Sequence, residues 1–447
     1  MSGPEELVGA AQLAYFHGRD RDAVTLCEQA LDLLDAEPVR RPEPRVRALH
    51  VLLSATQRWW GAEGSPQRPT AELVAAVLAT ADDSGDPLLK SMARHAQGAY
   101  LIATNSLPEA ISVLEESVRY ARESGDPLAQ VDAIAELGHH MAGRDLLRTL
   151  ELLTEAHALV DGLDSRDIGV LVRSGRIAGF LGVGHFDAGN FDEGESWLRR
   201  ALADLETAGI LDQFLMMSNY LGQLLVAAGR FAEGREVLGR AIDRTPREPD
   251  ASTHLGYNLG LLGKLELESG RPAEAAGPIN EGWRHLRQTQ HASVRPILRN
   301  YLAELLIHPG YERRAPAAAD RLLVENEEDA RRTGFLRSEL NALILHAQVR
   351  LELGDLPGAV TLAEQAAIRL EKVGALPALR SEEVHLVHHD VLRRAGRDAD
   401  AQRALARARD ILLAKAETMA DPEHRRAFLT RVPVSAAILA ATDRWGS

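Results

Sequence analysis

The stretch AGRFAEGREVLGRAI, Ala228–Ile242, decides the architecture, because AGNFDEGESWLRRAL, Ala188–Leu202, aligns with it without a gap. Gly189 pairs with Gly229, Gly194 with Gly234, Leu198 with Leu238 and Ala201 with Ala241. A glycine and a polar residue open each copy, as the left-handed end of a helix requires. Small and large apolar residues then recur at three- and four-residue intervals, the spacing of one helix face. Each copy therefore predicts helix, tight turn, helix, with small side chains where two helices meet closely.

The same pattern returns along the chain. It is seen in HGRDRDAVTLCEQAL from His17, SGRPAEAAGPINEGW from Ser269, LGDLPGAVTLAEQAA from Leu353 and AGRDADAQRALARAR from Ala395. A second joint, SGDPL, stands at Ser84–Leu88 and again, at the same offset as the first pair, at Ser124–Leu128. Gly85 and Gly125 suit a left-handed helix end, Asp86 and Asp126 suit an N-cap, and Pro87 and Pro127 fit the first turn of the next helix. In AISVLEESVRY, Ile111, Leu114 and Val118 share one face and Glu115, Glu116 and Arg119 point away.

The helix before each turn carries Leu-Gly shortly ahead of the turn glycine: Leu221-Gly222 before Gly229 and Leu262-Gly263 before Gly270. A mid-helix glycine costs about 1 kcal/mol against alanine. Its use in both units predicts a close helix crossing. The turn glycines Gly143, Gly189, Gly229, Gly270, Gly310, Gly354 and Gly396 recur at nearly even intervals, the mark of a repeat array. Over 447 residues that spacing predicts about ten units and about twenty helices. Arg40–Arg45 is the expected joint before a degenerate unit whose turn is Gly61–Pro69, and the run from His308 is an enlarged turn.

Leu221-Gly222, Gly229, Gly234, Leu238 and Ala241, and their counterparts Leu262-Gly263, Gly270, Ala275, Ile279 and Gly282, resemble the tetratricopeptide repeat family. The likeness runs from about Glu5 to Glu417. The unit is longer than that family's usual one of about 34 residues. It is similar to the arrays at the C-terminal end of large bacterial signal-transducing ATPases and transcription regulators. This resemblance implies an all-α, right-handed solenoid over residues 1–419. The last stretch, 420–447, resembles the closing segment of those regulators, and Phe428, Leu429 and Ile438 are expected on one capping helix.

Composition limits the function. Acidic residues outnumber basic ones, 65 to 51, giving a net charge of −14 that repels nucleic-acid phosphates. Cys27 is the single cysteine, so an intrachain disulfide and a cysteine zinc site are both excluded. Its slot matches Leu238, which predicts a buried, inert thiol. No apolar run reaches membrane-spanning length and no signal core follows Met1–Glu6, so a cytoplasmic protein is expected. GLLGKLE, from Gly260, lacks the spacing of a phosphate loop and falls inside a helix, so the ATPase module is missing. Nothing in the sequence calls for a cofactor.

Two clusters offer chemistry. His385, His388 and His389 lie three and four residues apart on one helix, a spacing that can bind a metal, but no other ligand is sure to converge, and partly buried or solvated imidazoles are the expectation. Trp59-Trp60 is the densest aromatic spot; Trp60 fits a packing slot, and Trp59 beside the enlarged turn is a candidate partner anchor. By the family resemblance, the concave face carries Arg176, Asn219, Gln223, Tyr257, Lys264, Asn341 and Gln348. Amides, a tyrosine and isolated cations suit an extended peptide. The sequence thus points to a non-catalytic scaffold that binds a protein or peptide in its groove, in bacterial regulation or assembly, without nucleic acid or membrane. The alternative is a solenoid that encloses a small molecule, with histidines such as His385 and His388 at work.

Overall fold

The computed structural model describes residues 3–58, 70–104, 107–142, 144–164, 166–245, 252–287, 294–374 and 380–446. Among them every regular element is a helix. Ten hairpins follow one another. The first four are α1 (Pro4–Phe16) with α2 (Asp20–Ala36), α3 (Pro42–Arg58) with α4 (Thr70–Ser84), α5 (Pro87–Thr104) with α6 (Leu107–Ser124), and α7 (Pro127–Met141) with α8 (Leu146–Asp161). Next come α9 (Ile168–Asp187) with α10 (Phe191–Thr207), α11 (Leu211–Ala227) with α12 (Phe231–Arg244), and α13 (Ser252–Glu268) with α14 (Pro272–Leu286). The last three are α15 (Val294–Ile307) with α16 (Pro316–Thr333), α17 (Leu336–Glu352) with α18 (Leu356–Val373), and α19 (Ser381–Arg394) with α20 (Asp398–Glu417).

The joints follow their residues. Gly85 and Gly125 both have φ of 73°, as do or nearly do Gly189, Gly229, Gly270, Gly354 and Gly396 at the hairpin turns. Asp126 caps α7 by accepting from the Ala129 amide, and Asp86 accepts from the Leu88 amide. Gly310 is the exception to the expected series: its φ is not positive, because the α15–α16 connection spreads over residues 308–315 and needs no sharp reversal. Gly143 and the Gly61–Pro69 turn lie outside the described residues, as does Trp59.

The two helices of a hairpin have different jobs. First helices pack on first helices of the neighbouring hairpins and form the inner wall. Thus α11 buries residues on two faces, among them Phe214, Leu215, Met217, Leu221 and Leu225, whereas α12 buries only Gly234, Leu238 and Ala241. The Leu-Gly crossings are real. A Cβ on Gly222 would stand 2.8 Å from Leu238 Cδ2, and one on Gly263 would overlap Ile279.

The solenoid winds tightly enough to touch itself. The first hairpin turn meets the start of α11, where a Cβ on Gly18 would stand 3.5 Å from Asp212 Cβ. The α16–α17 turn meets the start of α6, with Gly334 against Pro108. The end of α20 meets the α9–α10 turn, where Thr418 Oγ1 donates to the Gly189 carbonyl at 2.6 Å. In each case the partner lies about five hairpins along the chain. The inner wall curves back on itself for that reason.

Residues 420–446 depart from the single capping helix expected. Pro433 removes an amide donor and splits them into α21 (Pro422–Arg431) and α22 (Pro433–Gly446). Both cover α20, α22 also meets α19, and Phe428 and Ile438 are fully buried while Leu429 is only partly so. The Phe428 ring lies 5.5 Å from that of Phe191, so the segment also reaches back to α10.

Candidate binding site

The inner wall carries polar side chains that are enclosed, and they bond to one another. Asn219 and Gln223 stand one turn apart on α11, and Gln223 Nε2 donates to Asn219 Oδ1 at 2.7 Å and to the Tyr257 hydroxyl at 3.0 Å. Asn219 Nδ2 donates to Asn258 Oδ1 at 3.3 Å, tying α11 to α13. Asn219 is fully buried beneath this wall, and Tyr257 is 8% exposed.

Above that network lies a cavity of about 350 Å³. Tyr257 and Gln223 form its floor, Phe180, Met216, Tyr220 and Phe335 its apolar walls, and Arg176, Arg337, Glu136, His139 and His140 its polar edge. The His139 ring stacks on Phe180, centroids 3.8 Å apart at 9°. Burial, and then the neighbouring His140, pushes the His139 pKa down to about 3, so the ring is neutral. Arg176 pairs with Glu136 at 3.2 Å and lies over the Phe180 ring. Glu136 also meets His140 Nε2 at 3.1 Å.

A second, smaller chamber of about 100 Å³ adjoins the first through Phe186, Gln223, Ile297 and Arg337. Its lining includes Lys264, Glu304, Asn341, Arg380 and Glu383. Lys264 pairs with Glu268 at 2.8 Å and with Glu304, and Arg380 pairs with Glu268 at 2.8 Å. The Glu268 carboxyl is held low because these two cations outweigh the burial that would raise it. Glu383, which burial pushes up to about 7, sits among the same groups, and among the described residues its carboxylate makes no hydrogen bond or ion pair. A third hollow of about 500 Å³ lies between α1, α3, α5, α7 and α9, edged by His50 and His95, whose rings share a 3.0 Å hydrogen bond, and by the Arg173–Asp132 pair.

Of the residues expected on the concave face, Arg176, Gln223 and Tyr257 line the larger chamber, and Gln223, Lys264 and Asn341 the smaller. Asn219 supports the floor. Gln348 is half-buried and lines neither chamber. His385 and His389 are buried in α19, and His389 Nδ1 is bonded to the Ala401 carbonyl at 2.9 Å. Among the described residues no three His, Cys, Asp or Glu side chains converge as a metal site, and His388 joins no such group. Lys264 of GLLGKLE sits mid-helix in α13, held by two carboxylates. Cys27 is fully buried and its thiol pKa is pushed up to about 12 by burial. Arg337, Phe180 and Tyr220 were not anticipated. Arg337 is the second residue of α17, and its inner-face position alone was there to be read.

Solved structures share this architecture. A Rap protein in complex with competence and sporulation factor superposes with a TM-score of 0.56 at 11% identity, covering 93% of this chain and 99% of that one. Aspartyl phosphate phosphatase F from Bacillus subtilis superposes with a TM-score of 0.50 at 12% identity, covering 84% and 98%. The fold is a tetratricopeptide-like helical solenoid. No family model and no curated protein matches the sequence. Among the described residues no helix of this solenoid is long and apolar enough to cross a membrane.

Proposed function

We propose that this solenoid is a non-catalytic regulatory scaffold of bacterial type that takes a peptide segment of a partner against its inner wall. The observation that carries the reading is the meeting of Gln223, Tyr257 and Arg337 at one apolar-walled chamber. Hydrogen-bonding side chains beside apolar walls suit a peptide, whose backbone needs donors and acceptors and whose side chains need burial. A protein of similar fold, the Rap protein, is known in complex with competence and sporulation factor, which supports partner binding by a solenoid of this kind. The charge of −14 argues against a nucleic-acid partner.

A second reading has its own observation. The larger chamber brings His139, His140 and Glu136 to one edge, which also suits a small molecule. Fluorescence polarisation with a pool of labelled synthetic pentapeptides tests the first reading. Tyr257→Ala weakens binding by about 1–2 kcal/mol and Glu115→Ala, on the exposed face of α6, leaves it unchanged. Wild-type binding by Tyr257→Ala and Lys264→Ala together with a loss in Trp59→Ala would move the site to the Trp59 turn.

A further inference from the structure

The cations of the inner wall are matched with carboxylates, with one exception. Arg173 has Asp132 at 2.6 Å, Arg176 has Glu136, Lys264 has Glu268 and Glu304, Arg380 has Glu268, and Lys415 has Glu382 at 2.6 Å. Arg337 has none: among the described residues no carboxylate comes within ion-pair distance of it. Its neighbours are the neutral phenols Tyr257, to which the guanidinium is hydrogen-bonded, and Tyr301, and the Asp187 carboxylate that shares the lining of the smaller chamber. Arg337 is half-buried beside apolar walls, so its charge is partly desolvated with no counterion, whereas five other cations of the inner wall are matched.

The surroundings of Arg337 fit an incoming anion. The residue lines both inner chambers and stands where they join. Within the larger one, Arg176 and Glu136 cancel and His139 is neutral, which leaves Arg337 as the uncompensated charge. The Tyr257 hydroxyl accepts from Gln223 Nε2, so its own hydrogen is left to donate. Around these two donors the walls are apolar: Phe180, Phe186, Met216, Ile297 and Phe335. The volume, about 350 Å³, falls within the range of small-ligand sites.

We propose that the larger inner chamber is a carboxylate site, in which Arg337 and the Tyr257 hydroxyl hold the carboxylate of a ligand whose apolar body fills the space between Phe180, Met216 and Phe335. The guanidinium offers a planar pair of N–H donors, the geometry that two carboxylate oxygens match. This rests on, and deepens, the peptide reading: the carboxylate is the free C-terminus of the peptide and the apolar body is its last side chain. A free aryl or alkyl carboxylic acid shares that chemistry and is the other source.

Calorimetric titration separates the two. The probes are a pentapeptide pool ending in Leu or Phe as the free acid, the same pool as the C-terminal amide, and 3-phenylpropionate. The free-acid pool is expected to bind at least tenfold tighter than the amide. Arg337→Gln removes that difference, and Arg337→Lys, which keeps the charge but loses the fork, restores part of it. Binding of 3-phenylpropionate with the same dependence on Arg337, without binding of either pool, upholds the carboxylate site and ends the peptide reading. Equal binding of acid and amide pools upholds the peptide reading and overturns the carboxylate site. Absence of binding by all three probes overturns it as well. If Arg337→Gln does not fold, the acid–amide comparison on the unaltered protein decides alone.

Discussion

Thr418 and Gly189 are joined by a 2.6 Å hydrogen bond from the threonine hydroxyl to the glycine carbonyl, although 229 residues separate them. Beside it, the Ala420 amide donates to Asp192 Oδ2 at 2.6 Å. A chain of hairpins in which each touches only its neighbours would have no such bond. Here the C-terminal end of the array rests on the turn between α9 and α10, and the solenoid gains a long-range seam.

Phe428 is the apolar centre of that seam, fully buried and in ring contact with Phe191. Phe428→Ala is expected to destabilise the protein by about 3–5 kcal/mol, the range for loss of a buried aromatic ring. Its effect should reach α9 and α10 as well as α19 and α20. Hydrogen exchange that speeds up only in α20–α22 would show that the seam is superficial.

Two kinds of helical glycine should respond in opposite directions. Gly222→Leu forces a side chain onto Leu238 and costs about 1–3 kcal/mol by overpacking, and Gly263→Leu does the same against Ile279. Gly239, on α12, has nothing among the described residues within 4 Å of a built Cβ, so Gly239→Ala stabilises by roughly 0.5–1 kcal/mol through helix propensity. Denaturant midpoints report all three. A Gly222→Leu midpoint equal to that of the unaltered protein would contradict the close crossing.

Acid should weaken the fold partly through His139. Its folded pKa of about 3 lies below the ordinary 6.5, so between those values the unfolded chain binds a proton that the folded chain excludes. The histidine's contribution is complete above about pH 6.5 and is lost as the pH falls. From pH 7.5 to pH 5 that loss is roughly 2 kcal/mol. His50, pushed to about 3 chiefly by burial, acts in the same direction. Glu383, raised to about 7 by burial, acts in the other, because its folded form gains a proton as the pH falls. His139→Phe keeps the stack on Phe180 and removes one titration. The variant should lose less stability over that interval than the unaltered protein by about the same 2 kcal/mol. Identical pH slopes would mean that His139 is not excluded from protonation.

The repeat was legible because a left-handed glycine cannot be replaced cheaply at a sharp turn, and Gly189, Gly229, Gly270, Gly354 and Gly396 all have positive φ. The inner face was legible for the same periodic reason: Gln223, Tyr257 and Lys264 do line the interior. Which inner residues converge was not. Arg337 on α17 meets Tyr257 on α13, two hairpins back, and the closure that sets Gly334 at the head of α17 against Pro108 of α6 adds residues of α6 to the same chamber. That closure is set by small rotations between hairpins, and no fixed spacing in the sequence records it. The same closure sets hollows into the expected groove. The split at Pro433 was open to reading, since a proline inside a helical pattern interrupts it.

Hydrogen exchange measured by mass spectrometry on the protein with and without a bound pentapeptide tests the central claim, that the ligand is taken inside the solenoid. Binding should slow exchange in 168–187, 211–227, 252–268 and 336–352, four of the first helices that line the larger chamber. The second helices 191–207, 231–244 and 272–286 should change little. Protection confined to those second helices, or to residues 42–84 around the Trp59 turn, would place the ligand outside and contradict the account.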